Sequence, residues 1–375
     1  MQTSSLQMVR LPTIVVAVCL FPAMASAQTV VNDNWLGGTG DWSNPAMWSA
    51  GVVPNNSSDG TTVYNVTIDS GETDQVGLES ESVTINSLTI GGTKGAPTST
   101  LEWLNVYGFL TVTGNLTVNK KGKVIVSAYN TYNDACGLTV DGNTNVIGAL
   151  AAKEAGNPCL GTVDNSGTIS LTSSEKTYWS TLIATSIVNS GAIGLGNQTT
   201  AQAPFGPIPI TQTKGKITVD VLGQLGANIT ASGGTITGSG QISGYVSLTG
   251  DAAITPETAQ TYVQDCGKCW YELSIQNGYS QGGTSELIVN INASTVSPGL
   301  NVDGGSASVS GTLTVTLHNG NVPPVGYSLK ILTCGGGITG SFTNLNLPAL
   351  PDGETWSVTY NPADIVLTVT PASGS

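Results

Sequence analysis

Apolar and polar residues alternate in short runs along most of this chain. Between residues 163 and 246 the runs share a phrase: Gly167-Thr-Ile-Ser-Leu171, Gly191-Ala-Ile-Gly-Leu195, Gly215-Lys-Ile-Thr-Val219 and Gly240-Gln-Ile-Ser-Gly244. The glycines fall at intervals of 24, 24 and 25 (167 to 191, 191 to 215, 215 to 240). A glycine followed by an apolar-polar-apolar triplet predicts a turn that delivers a short strand with alternate side chains pointing inward. One such coil cannot bury its own apolar face. A repeat of this length therefore predicts stacked coils, an all-β, right-handed parallel β-helix.

The pattern reaches beyond its most regular part. Leu110-Thr-Val-Thr-Gly-Asn-Leu-Thr-Val118 is echoed one slightly longer interval on by Leu138-Thr-Val-Asp-Gly-Asn-Thr-Asn-Val146. Glu286-Leu-Ile-Val-Asn-Ile291 is echoed in the same way by Thr312-Leu-Thr-Val-Thr-Leu317. The first echo carries the repeat back to about residue 88, which makes roughly seven coils, or about 30 to 35 Å of rod, through residue 246, and the second extends the predicted solenoid so that it covers residues 82–320. Pro256, Cys266-Gly-Lys-Cys269 and Trp270-Tyr271 interrupt the period. Residues 321–375 break into four alternating pieces punctuated by Gly, Pro and Asn, which predicts a C-terminal antiparallel β cap. Residues 28–81 carry Trp35, Trp42 and Trp48, an N-terminal aromatic cap that would close the first coil's open strand edge. The competing role for these indoles is a platform for sugars.

Residues 1–27 read as a signal peptide. Arg10 precedes the apolar run Leu11 to Phe21, and Ala25-Ser-Ala27 offers a cleavage site, so a secreted or cell-surface location is expected. No later run is apolar enough for a transmembrane helix. Charged residues are 9% of the 375, and the formal net charge is −13. Arg10 is the only arginine, so nucleic acid is excluded as a partner.

Two stretches carry a resemblance. Asn34-Trp-Leu-Gly-Gly, Asp41-Trp-Ser-Asn-Pro-Ala-Met-Trp-Ser and Gly51-Val-Val-Pro54 resemble the start of secreted β-solenoid proteins related to autotransporter passenger domains. The Gly-Ser-Phe-Thr-Asn-Leu run, the Leu-Pro-Ala-Leu-Pro run and Trp356-Ser-Val-Thr-Tyr360 are similar to the end of such passengers. No membrane β-barrel follows, so self-translocation is not implied. The resemblance implies a structural or adhesive protein that binds glycans or cell-surface proteins.

Candidate chemistry is sparse. Cys136 and Cys159 are separated by nearly one coil length and could staple adjacent coils; Cys266 and Cys269 could close a small loop, and Cys334 is left without a partner. His318 sits in a turn signature with no nucleophile motif nearby. Asp141 and Asp164 occupy similar places near coil turns, and Asp220 lies inside a strand. These three are the candidates should the protein instead be a polysaccharide lyase or hydrolase, although Asx-turn bonding accounts for them. Lys120-Lys121-Gly-Lys123 reads as a solvated turn. Asp303-Gly-Gly and Asp141-Gly-Asn supply oxygens without a calcium motif, so no metal and no cofactor are expected. The expectation is a non-enzymatic rod. Its ligand-binding candidates are Trp35, Trp42, Trp48, Tyr129, Tyr132, Trp270 and Tyr271, with recognition in the loops at 129–160 and 262–285.

Overall fold

The computed structural model describes residues 28–78, 81–92, 99–102, 109–127, 137–153, 156–173, 180–196, 199–204, 206–263, 267–292 and 299–372. It is a parallel β-solenoid with three strand-bearing faces. Each full coil lays one strand on each face in turn, as in Phe109–Val112, Leu116–Val118 and Gly122–Ser127, called here faces one, two and three. Faces one and two merge into a single sheet because Pro158–Asn165 and Ser180–Asn189 run unbroken round the corner between them.

Face three is thirteen strands deep. At about 4.8 Å per step this spans about 58 Å. Seven of these strands, from Ser99–Glu102 to Thr235–Gly238, occupy the stretch from residue 88 to 246 where seven coils are expected, and the other six lie on either side of it; the coil length is not constant. On face three the ladder advances from Ala192 to Lys216, then by shorter steps to Thr235 and Ala253, and then by a much longer one to Glu286. Contraction also moves the fourth phrase. Gly240-Gln-Ile-Ser belongs to face one, where Gln241 pairs with Gln224. The true continuation of Gly215-Lys-Ile-Thr is Gly234-Thr-Ile-Thr.

The register stacks like on like. Val76, Val124, Leu150, Ile169, Ile193, Ile217, Ile236, Ile254, Leu287, Leu313 and Leu345 form one inward column on face three. From Ile169 to Leu313 these side chains are essentially inaccessible. Each full burial contributes about 1.5–3 kcal/mol.

Polar residues have a column too. Asn165, Asn189 and Gln212 are fully buried in successive coils. Asn165 Nδ2 donates to Asn189 Oδ1 at 2.8 Å, and Asn189 Nδ2 donates to Gln212 Oε1 at 3.3 Å. Such amides are admissible inside because neighbours satisfy one another, although Asn165 Oδ1, at the start of the column, is buried without a partner.

Parallel pairing begins at Thr29, which aligns with Thr62, and runs to Asn344–Asn346. Both expected caps therefore contain rungs of the solenoid. Trp35, Trp42 and Trp48 lie within the first coil, with ring centroids 5.0 Å apart for Trp35 and Trp48 and 4.8 Å for Trp42 and Trp48, both edge-on. At the other end Asp364–Pro371 pairs antiparallel with Ser328–Cys334 on one side and with Glu354–Tyr360 on the other. Lys330 Nζ meets Asp364 Oδ2 at 2.9 Å across this sheet. Among the described residues no helix is long and apolar enough to cross a membrane.

Candidate functional site

The connections between strands are distributed unequally over the three corners. The corner from face one to face two is turned by a residue or a few, and in Pro158–Asn165 by none. The corner from face three to face one absorbs most of the variation: residues 239–240 suffice between Thr235–Gly238 and Gln241–Ile242, whereas 257–273 intervene between Ala253–Pro256 and Ser274–Ile275. The longest of these loops spring from this one edge of the rod, although the connection 91–98 between Ser87–Ile90 and Ser99–Glu102 turns the corner from face two to face three. The two ranges expected to carry recognition are 129–160 and 262–285; within them Leu138–Val140, Thr144–Val146, Ala149–Lys153, Ser274–Ile275 and Tyr279–Gln281 are strands of the rod, and the connections 128–137 and 257–273 start and finish at this same corner, several rungs apart.

In the second of these the chain leaves the rod as an independent two-stranded sheet, Thr258–Val263 against Gly267–Glu272. Its register sets Gln260 opposite Trp270, Ala259 opposite Tyr271, and Thr261 opposite Cys269. Tyr271 is half-buried and Glu272 exposed. Although the residue as a whole is exposed, partial desolvation of its carboxyl raises Glu272 above its ordinary range. Tyr129, Tyr132, Cys136 and Cys266 lie outside the described residues, as do the side chains of Cys269 and Trp270.

At the foot of this hairpin two acidic groups share a column. Val219, Gly238 and Pro256 are in register, so Asp220 and Glu257, one residue further on, stand two rungs apart, about 9.6 Å along the backbone. The Asp220 carboxyl is raised by burial first and by the charge of Glu257 second, with Lys216 opposing. The Thr237 hydroxyl lies 2.8 Å from Glu257 Oε1. Glu257 had no sequence signal, because the interval from 220 to 257 corresponds to whole coils only after the contraction is known.

Several candidates are placed differently from expectation. Trp35, Trp42 and Trp48 are at most 2% exposed. Their indole N–H groups donate to the carbonyls of Gly38, Pro54 and Trp42, respectively. A sugar platform needs an open ring face, and these rings have none; they pack as the cap. Asp141 and Asp164 are not stacked neighbours: Val140 pairs with Leu160, whereas Asp164 pairs with Asn145, so both carboxylates are exposed at different positions round the coil. Cys159 is not a free thiol, and the residue in register with it on the preceding coil is Thr139, three positions beyond Cys136. Cys334 is free and buried, its thiol against the carbonyls of Gly337 and Gly305. His318 is exposed in the short turn His318–Gly320. Lys120 and Lys121 are exposed on the turn leading into face three, with Lys123 at the start of its strand. Among the described residues no three His, Cys, Asp or Glu side chains converge as metal ligands.

No family model matches this chain, and no curated protein matches it either.

Proposed function

We propose that this is an exported bacterial structural or adhesive rod that binds glycans or other surface proteins through the loop-bearing edge between faces three and one. The observation that carries the reading is the hairpin Thr258–Glu272, which departs from the rod at that edge. A scaffold of stacked strands contributes rigidity, and recognition resides in what projects from it. The faces suit weak, repeated contacts more than chemistry. On face two the outward column of Thr67, Thr89, Thr117, Asn145, Asp164, Val188, Thr211, Thr230, Ser247, Ser280, Ser308 and Thr339 contains a single charge.

The experiment is a replacement of residues 257–273 by Ser-Gly, the short crossing that the chain itself uses at 239–240. The shortened rod is expected to fold and to lose retention on glycan arrays, matrix proteins or cells. Retention equal to that of the parent would remove the hairpin from the binding role, and a parent with no retention on any of these would end the adhesive reading.

The raised Asp220 beside Glu257 favours a second reading, a polysaccharide hydrolase. Reducing ends released from neutral or acidic glycans, and lost in Asp220→Asn, would establish it.

A further inference from the structure

The C-terminal tip of the rod ends on a strand with one side unpaired. Asp364–Pro371 stands between Ser328–Cys334 and Glu354–Tyr360, so Glu354–Tyr360 is the outermost strand of the sheet, and no described strand lies beyond it. Antiparallel pairing alternates which residues spend their main-chain groups on the neighbour. Ala372 donates to the Gly353 carbonyl, and the Glu354 N–H turns away to Pro351. Thr355, Ser357 and Thr359 therefore bond inward to residues 366–370, and Trp356 and Val358 aim their N–H and C=O groups outward.

Proteins blunt such an edge with lysine, proline, a bulge or a covering loop. The run Glu-Thr-Trp-Ser-Val-Thr-Tyr has neither lysine nor proline, and its register with 365–371 is continuous. The tip is also apolar. Leu345 ends the inward column and is 47% exposed directly beyond the fully buried Leu313. Tyr360, Val322 and Val325 are exposed there as well.

We propose that two copies of this chain join tail to tail, each contributing Glu354–Tyr360 to a continuous antiparallel sheet about a two-fold axis at Ser357. The sequence of the strand is complementary to itself in this register. Trp356 faces the partner's Val358, an aromatic against a β-branched residue, and Thr355 faces the partner's Thr359; both are favoured cross-strand pairs. Glu354 faces the partner's Tyr360, so the only charge on the strand never meets its own copy. The outward amides and carbonyls of Trp356 and Val358 then bond to those of the partner's Val358 and the partner's Trp356. The contact is isologous and closes at two, and the result is a rod of about twice the length with both N-terminal caps at its far ends.

Sedimentation equilibrium of the full mature chain tests the assembly, with oxidation of a Ser357→Cys variant testing the register. Ser357 would face its own copy in a non-hydrogen-bonded pair, about 4.5 Å between Cα atoms, within disulfide reach. The expected results are a dimer mass in the micromolar range and near-complete cross-linking of Ser357→Cys. The unmodified chain and Thr230→Cys, exposed in mid-rod, should stay uncross-linked. Val358→Pro removes an outward donor only, which edge strands tolerate, and should give a monomer with an unchanged melting curve. Should that variant fail to fold, Ser357→Lys sets two lysines face to face and should likewise give a monomer. A monomeric parent, cross-linking at 357 no greater than at 230, or dimers persisting in Ser357→Lys would overturn the proposal.

Discussion

At the scale of single residues, glycine sets how closely coils can stack at the corner leading into face three. A Cβ built on Gly191 would sit 2.2 Å from the Gly167 carbonyl oxygen, and one on Gly215 would sit 1.9 Å from that of Gly191. Each glycine leaves room for the backbone one rung below, which is why the phrase repeats with glycine at its head. Gly191→Ala should therefore cost about 1–3 kcal/mol as overpacking against immovable backbone. Gly194→Ala, on the strand Ala192–Leu195 that follows and with nothing within 4 Å, should be neutral or slightly stabilising. Urea unfolding of the two variants side by side checks both signs. On the surface, Asp59 is held at a pKa of about 2, first by the Ser57 hydroxyl and then by the Thr61 amide and hydroxyl. Its folded value lies below the ordinary 3.8, so whatever stability it lends is present above that pH and is lost as pH falls toward about 2. A carboxyl-carbon NMR titration should show the low midpoint, and Thr61→Val should raise it.

At the scale of elements, the ends of the rod differ in how they are finished. The N-terminal end is closed by three interlocked indoles tied to the first strand, since Asp33 Oδ1 accepts from the Ser49 hydroxyl at 2.8 Å and from the Ala50 amide at 2.9 Å. Trp48 touches both other rings, so Trp48→Ala should cost about 3–5 kcal/mol and expose the first strand to aggregation, measured as a lower melting temperature with light scattering. The fold class, the strand phrases and the caps were legible because inward apolar residues recur with a glycine before them. The face on which the fourth phrase lies was not. The coil contracts after Lys216, and that contraction carries the eye from Gly234-Thr-Ile-Thr to the similar Gly240-Gln-Ile-Ser on another face. Asn165-Ser-Gly and Asn189-Ser-Gly did repeat with the period, which is a signal for the internal amide column. Asparagine before glycine is usually turn chemistry, so this repeat alone does not single out a buried column. Of the candidate site, the loops could be named from sequence, but their gathering on one edge depends on which corner each loop turns, and no local pattern encodes that.

At the scale of the whole molecule, each coil touches only the coils above and below it, so stability is a sum of rungs and interfaces between rungs rather than the property of one core. Such a chain need not open all at once. The rungs through Ile217, Ile236 and Ile254 follow one another at the closest spacing along the chain, and their inward side chains are fully buried. They commit the fewest residues to loops whose ordering opposes folding. The outer rungs have a neighbour on one side only over much of their length, and the coil containing the hairpin runs all the way from Ala253 to Glu286 for the same three strands. Native-state hydrogen exchange should therefore be slowest at the amides of 216–219, 235–238 and 253–255, and faster toward both tips and beyond the hairpin. Ile236→Ala, which removes a central column member, should cost about 2–5 kcal/mol and accelerate exchange in the rungs on either side more than at the tips. Uniform protection along the rod, or uniform acceleration in the variant, would mean that the coils unfold as one cooperative unit and that the nearest-neighbour description fails for this chain.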